Sequence, residues 1–208
     1  MKPSVKKILS VILLILLGVA GRIFFVEVIK VPNLEIITAL SLLAGFSLGG
    51  VFSFLTPLAI IFLSDWFIGN NAILIFTWSA FGIIGLLGIV LRRKGKLFVA
   101  GLPPHQKAIQ SLFWCGGFGI LAACFFFLYT NFGWWVLSGM YPYTWWGILA
   151  CYANGLPFFK TNLLGSLIFT PIVFGAFFAV KKFLYSSRVV MLSEAKHLGR
   201  DSSPAGSE

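Results

Sequence analysis

Apolar residues run in long blocks along this chain, at about 8–29, 35–64, 72–91, 109–129 and 161–180, with polar or proline-bearing stretches between them. A helix that crosses the hydrocarbon core of a bilayer needs about 20 apolar residues at about 1.5 Å rise each. Four of the blocks have that length. The block 35–64 is too long for one ordinary span and short for two full ones, and its centre reads Leu48-Gly49-Gly50.

Basic residues choose between five spans and six, because short loops rich in Lys and Arg stay on the cytoplasmic side. Lys2, Lys6 and Lys7 precede the first block, Arg92, Arg93, Lys94, Lys96 and Lys107 follow the 72–91 block, and Lys181 and Lys182 close the last. One helix over 35–64 would put the middle cluster outside. A hairpin of two short, tilted helices brings all three clusters inside and leaves only Arg22, Lys30 and Lys160 on or near the outer side. The pattern predicts an all-α, polytopic integral membrane protein with six transmembrane helices, the second and third short, both termini cytoplasmic, in the inner or plasma membrane of the cell. Residues 1–183 form the transmembrane domain. Residues 184–208, with Ser-Ser twice and a Ser-Pro-Ala-Gly-Ser stretch near the end, read as a disordered cytoplasmic tail. Met1 to Gly21 has the basic start, apolar middle and small residues of a signal peptide, but the apolar run continues through Ile23-Phe24-Phe25-Val26, which favours a retained helix.

Composition excludes the alternatives. The 208 residues are 59% hydrophobic and 11% charged, against about 45–50% and about 25% in soluble domains. The net charge of +10 is spent on topology; a nucleic-acid face needs Lys and Arg clustered on a polar surface, which most of the chain lacks. Cys115, Cys124 and Cys151 form no pairable set, there is no Cys-x-x-Cys, and His105 and His197 both lie in polar segments. A haem bundle or zinc hydrolase would lack its ligands, so no cofactor and no metal centre are expected.

An ionisable group in hydrocarbon is costly unless it meets a cavity or a partner. Arg22 and Glu27 lie near the outer end of the first span, Glu35 opens the second and Asp65 closes the third. The simplest account is that they mark helix ends, Glu35 at a helix N-terminus and Arg22 snorkelling outward. Residues 129–162 are stranger, carrying Asn131, Trp134, Trp135, Tyr141, Tyr143, Trp145, Trp146, Tyr152, Asn154 and Asn162 with one charge, Lys160. Such a segment is either an interfacial aromatic belt or a lid over a cavity, in which rings stack on a flat ligand and amides orient it. Gly82, Gly85 and Gly88 make one helical stripe, with Gly116, Gly117, Gly119, Ala122 and Ala123 in the next span, suited to close helix packing in lipid. Pro57 and Pro171 fall inside spans, where they bend a helix and free backbone carbonyls.

Certain stretches resemble a known family. Val31-Pro32-Asn33-Leu34-Glu35-Ile36-Ile37-Thr38-Ala39-Leu40, then Leu43-Ala44-Gly45, Gly49-Gly50 and Leu63-Ser64-Asp65-Trp66-Phe67-Ile68-Gly69 resemble the first half of energy-coupling factor (ECF) transporter substrate-binding subunits, the S components. Thr130-Asn131-Phe132, Met140-Tyr141-Pro142, Cys151-Tyr152 and Gly155-Leu156-Pro157-Phe158-Phe159 are similar to a related group of uncharacterised transport proteins. The resemblance implies a six-helix S-component-like bundle with a solute site opening outward. It maps that site onto Asn33, Asp65, Asn131, Trp134, Trp135, Tyr141, Tyr152, Asn154 and Asn162. It also implies a transmembrane coupling subunit and ATPase subunits as partners, since this chain has no GxxxxGK[ST] phosphate loop. The first helix departs from the family in having no Ala-x-x-x-Ala pair.

The expected function is therefore a membrane subunit that binds a small, vitamin-like solute and is not an enzyme. The rival is a membrane scaffold or assembly protein whose outer aromatic loop meets a partner or lipid. An enzyme with Glu35 and Asp65 as paired carboxylates ranks third, because no nucleophile, metal set or oriented histidine accompanies them.

Overall fold

The structure, a computed structural model, describes residues 4–31, 33–69, 73–98, 100–101 and 103–201. Lys2 and residues 202–208 of the expected tail lie outside the described residues, as do the side chains of Lys96, His105 and His197. The elements are α1 (Val5–Ile23), continued by a π-helical stretch Phe24–Ile29, then α2 (Ile37–Ser47), α3 (Phe52–Ile68), α4 (Leu74–Phe98), α5 (Pro104–Leu137) and α6 (Trp145–Asp201). Among the described residues there is no strand. Four stretches, Val5–Ile29, Leu74–Gly95, Ile109–Leu137 and Trp145–Ser187, are helical, long and apolar enough to cross a membrane. Large apolar side chains stay exposed along them, among them Leu9, Leu13, Leu16 and Leu17 on α1. This is the architecture of an all-α membrane protein.

The 35–64 block divides at its glycines. Gly49 and Gly50 adopt φ of 65° and 61°, a left-handed backbone that glycine reaches without steric cost, and the chain reverses from α2 into α3. At 11 residues, α2 is about 16 Å long. Every residue from Ile37 to Gly45 is buried, and α2 packs against α1, α3, α4 and α5. It is the core of the bundle, and its apolarity all round follows from that position.

The glycine stripe on α4 sets how closely the helices approach. A Cβ at Gly82 would strike the Phe54 ring, one at Gly85 the Ser53 carbonyl, and one at Gly88 the Leu42 carbonyl; Gly45 of α2 meets the Gly85 carbonyl. Pro57 has no N–H to give the Ser53 carbonyl four residues back, and that carbonyl is the one turned toward Gly85. On α5 only part of the expected stripe is used: Gly119 lies against Thr170, whereas Gly116 and Gly117 have open space beside them.

Met1–Phe174 forms one compact unit and Gly175–Glu208 a second. In the second, the helix continues to Asp201, into the stretch whose composition reads as a tail, and the Lys181 ammonium lies 5.0 Å over the Phe177 ring. The first unit has two unlike ends. At one, Lys7 sits 4.8 Å over the Phe52 ring and the Gly49 turn lies beside Arg92, which gathers the start of α1, the α2–α3 turn and the basic end of α4. At the opposite end, the last turn of α1 meets the end of α3 and the start of α4 through Arg22, Asp65 and Trp78. There Gly21 packs on Ile36 just before α2, and the early part of α6 bonds the late part of α5.

Candidate functional site

A cavity of about 750 Å³ lies at this second end. It lies before the first turn of α2, which has 11 residues against 25 in α4 and 34 in α5. Lys30, Val31, Asn33, Leu34 and Glu35, which precede that turn, all line the cavity. Leu34 and Glu35 line it on the α2 side, Arg22 and Phe25 on the α1 side, Phe81 on α4, Phe126, Thr130, Asn131 and Trp134 on α5, and Asn154 and Phe158 on α6. Lys30 and Asn33, at φ of 56° and 59°, hold the connecting loop in left-handed backbone, which Asn tolerates and Lys seldom adopts. Such strained positions concentrate at ligand sites.

One ion pair braces the wall. The Arg22 guanidinium on α1 pairs with Asp65 on α3 and donates to Ser64 Oγ at 2.8 Å. Trp78 Nε1 on α4 donates to the other Asp65 oxygen at 2.7 Å. Arg22 thus points into the bundle instead of snorkelling outward. Glu35 accepts from Thr38 Oγ1 at 3.1 Å and from Asn162 Nδ2 on α6 at 3.4 Å. Asp65 and Glu35 take different hydrogen-bond donors, and the Arg22 charge acts on both.

One family description matches the chain, over residues 2–189, a range that takes in every helix lining the cavity. The chain belongs to the DUF6580 family, a family of unknown function. No curated protein and no solved structure matches it.

In this DUF6580 chain the structure brings together Asn33, Asn131, Trp134, Tyr141 and Asn154 in the cavity lining, and Asn154 Nδ2 donates to Tyr141 Oη at 3.1 Å. Asn162 lines an adjoining cleft of about 20 Å³ that shares Asn33 and Asn131. Asp65, Trp135 and Tyr152 stand outside the lining. Asp65 braces Arg22; Trp135 Nε1 donates to the Pro142 carbonyl at 3.1 Å, and Tyr152 Oη to the Leu128 carbonyl at 2.8 Å. These two bonds fasten residues 138–144 and α6 onto α5. Trp145 and Trp146, 82% and 81% exposed, face outward with Trp66 at 81%, as an interfacial belt does.

Among the lining residues, the sequence read Arg22 and Glu35 first as helix ends, and Glu35 otherwise as one of a pair of catalytic carboxylates, not as part of a solute site. It gave no sign of Phe25, Phe81, Phe126 and Phe158, which are four of 23 phenylalanines. No group of three or more His, Cys, Asp or Glu stands close enough to hold a metal among the described residues.

Proposed function

We propose that this protein is a membrane-embedded binding subunit that captures a small, partly aromatic solute from the outer side for uptake. The observation that carries this reading is the cavity of about 750 Å³ at the end of the bundle remote from Lys7 and Arg92. Its volume falls within the range of about 300–1,000 Å³ usual for small-molecule sites. Its lining pairs flat rings (Phe25, Phe81, Phe126, Trp134) with amides (Asn33, Asn131, Asn154), the combination that stacks and orients a planar solute. The positive-inside rule assigns the Lys7 and Arg92 end to the cytoplasm and hence the cavity to the outer face.

In this reading the α2–α3 hairpin contributes the second and third of six spans, both termini are cytoplasmic, and the membrane is the inner or plasma membrane. The S-component resemblance is in keeping with it, with a vitamin-like solute, a coupling subunit and ATPase subunits to supply energy. The work is binding, with no catalytic step. One observation favours a second reading, a scaffold that meets a partner or lipid: the outward-facing Trp66, Trp145 and Trp146.

Mass spectrometry of small molecules released from the purified protein decides between them. A molecule retained by the native chain and lost in Trp134→Ala supports the binder. If nothing is retained and no aromatic solute changes the thermal stability, the binder is excluded.

A further inference from the structure

The cleft of about 20 Å³ beside the main cavity is lined by Asn33, Thr130, Asn131 and Asn162 among four phenylalanines. That is room for a single water or small ion. The hydrogen bonds of three of these residues leave the cleft rich in acceptors. Thr130 Oγ1 donates to the Phe126 carbonyl at 2.7 Å, and Asn131 Nδ2 donates to the Phe127 carbonyl at 2.8 Å. Asn162 Nδ2 donates to the Glu35 carboxylate. The two carbonyls can only accept, as does the ionised Glu35 carboxylate, so each amide keeps its nitrogen on its partner and turns its Oδ1 elsewhere, that of Asn131 toward Gly155.

Asn162 is 3% exposed, and its Oδ1 has no hydrogen-bond donor. One and two turns further along the same face of α6, Ser166 Oγ and Thr170 Oγ1 are also buried without partners. Ser41, Ser53 and Thr56 hydroxyls on α2 and α3 are unpartnered likewise, whereas Ser64, Thr77, Ser79 and Thr130 bond the carbonyl four residues back, so the unpartnered atom that distinguishes the cleft is the amide oxygen of Asn162. Behind Asn162 stands Glu35, which accepts from two neutral donors, while the guanidinium of Arg22, engaged by Asp65 and Ser64, reaches Glu35 only through its charge. One guanidinium is thus shared between two carboxylates, and the unpartnered acceptor beside Glu35 leaves a place for a second positive charge.

We propose that this cleft binds one small alkali-metal cation, of the size and hardness of sodium, through the side-chain oxygens of Thr130, Asn131 and Asn162, with Glu35 as counter-charge. Hard cations select oxygen ligands, and a single carboxylate balances a single charge. Because Asn33 and Asn131 also line the large cavity, a bound cation fixes two of the side chains that meet the solute. The ion site does not require the solute reading to hold.

Thermal unfolding of the purified full-length protein, titrated with sodium chloride against choline chloride at constant ionic strength, tests the site directly. Sodium should raise the midpoint saturably, as a ligand that binds only the folded state does, and choline should not. Asn162→Ala should raise the half-saturating sodium concentration by about tenfold or more, Asn162→Asp should restore it, and Glu35→Gln should abolish the response. Equal midpoints in sodium and choline, or an Asn162→Ala response equal to the native one, overturns the site. Should Glu35→Gln fail to fold, the two Asn162 variants still decide. Equal midpoints in both salts in a protein that still retains its co-purified solute would lose the ion site and keep the solute reading.

Discussion

Asp65 on α3 holds Arg22 on α1 across 43 residues of chain, and Trp78 on α4 completes the bond set. Both charged side chains are largely shielded, Arg22 16% and Asp65 6% exposed. Removing one partner of such a pair leaves the other charge buried and uncompensated, at a cost of about 3–5 kcal/mol. Asp65→Ala should therefore lower the detergent-phase melting temperature sharply, whereas the paired replacement Arg22→Met with Asp65→Leu should recover much of the loss. Tryptophan-fluorescence melts of the three variants check this; a single Asp65→Ala that melts like the native chain would mean the pair holds nothing together.

The α4 glycines make an independent packing prediction. Gly85 is pressed on the Ser53 carbonyl, while Gly95, ten residues along the same helix, has open space around it. Gly85→Ala must push α3 and α4 apart and should cost about 1–3 kcal/mol or more. Gly95→Ala only removes glycine's helix penalty and should be neutral or gain up to about 1 kcal/mol. Size-exclusion profiles and melting curves of the two variants, run side by side, read the contrast.

What the sequence shows and what it hides follow from how far each signal reaches along the chain. The break at Gly49-Gly50 was legible because a turn's chemistry is local. The α4 stripe was legible because Gly82, Gly85 and Gly88 keep helical spacing. Asp65 was legible as unusual but not as Arg22's partner, because nothing local links residues 43 apart. Trp134 lines the cavity and Trp135 does not, and that distinction depends on where one face of α5 meets α6. The cavity itself left no local mark, since residues from Arg22 to Phe158 line it. Pro157 and Pro171 sit inside α6 without ending it, so proline there punctuates hydrogen bonds and not elements.

Trp134 and Trp145 are chemically alike and differently placed, which makes them a matched test of the solute site. Trp134 lines the cavity; Trp145 is 82% exposed on the rim at the start of α6. Truncating a ring that packs on a bound solute usually costs more than about 1 kcal/mol. Trp134→Ala should weaken binding of the co-purified solute by about tenfold, and Trp145→Ala should leave it unchanged, as measured by isothermal titration. Equal losses would move the site to the rim.

The depth reached by the α2–α3 turn decides the span count. A re-entrant hairpin and a pair of true spans give the same orientation to α1, α4, α5 and α6, so labelling those helices cannot separate them. They differ in whether Val51, 67% exposed just past the turn, meets the cytoplasm. The turn lies beside Arg92, and a guanidinium at the end of an apolar helix seeks the interface, so Val51 should reach that interface. Cys115 and Cys151 are buried and Cys124 half-buried, so an impermeant maleimide should leave the native chain unlabelled. In inside-out vesicles it should label Val51→Cys, and in intact cells only Met140→Cys, on the cavity side of the bundle. A Val51→Cys protein unlabelled from either side would make the hairpin re-entrant and reduce the count to four spans.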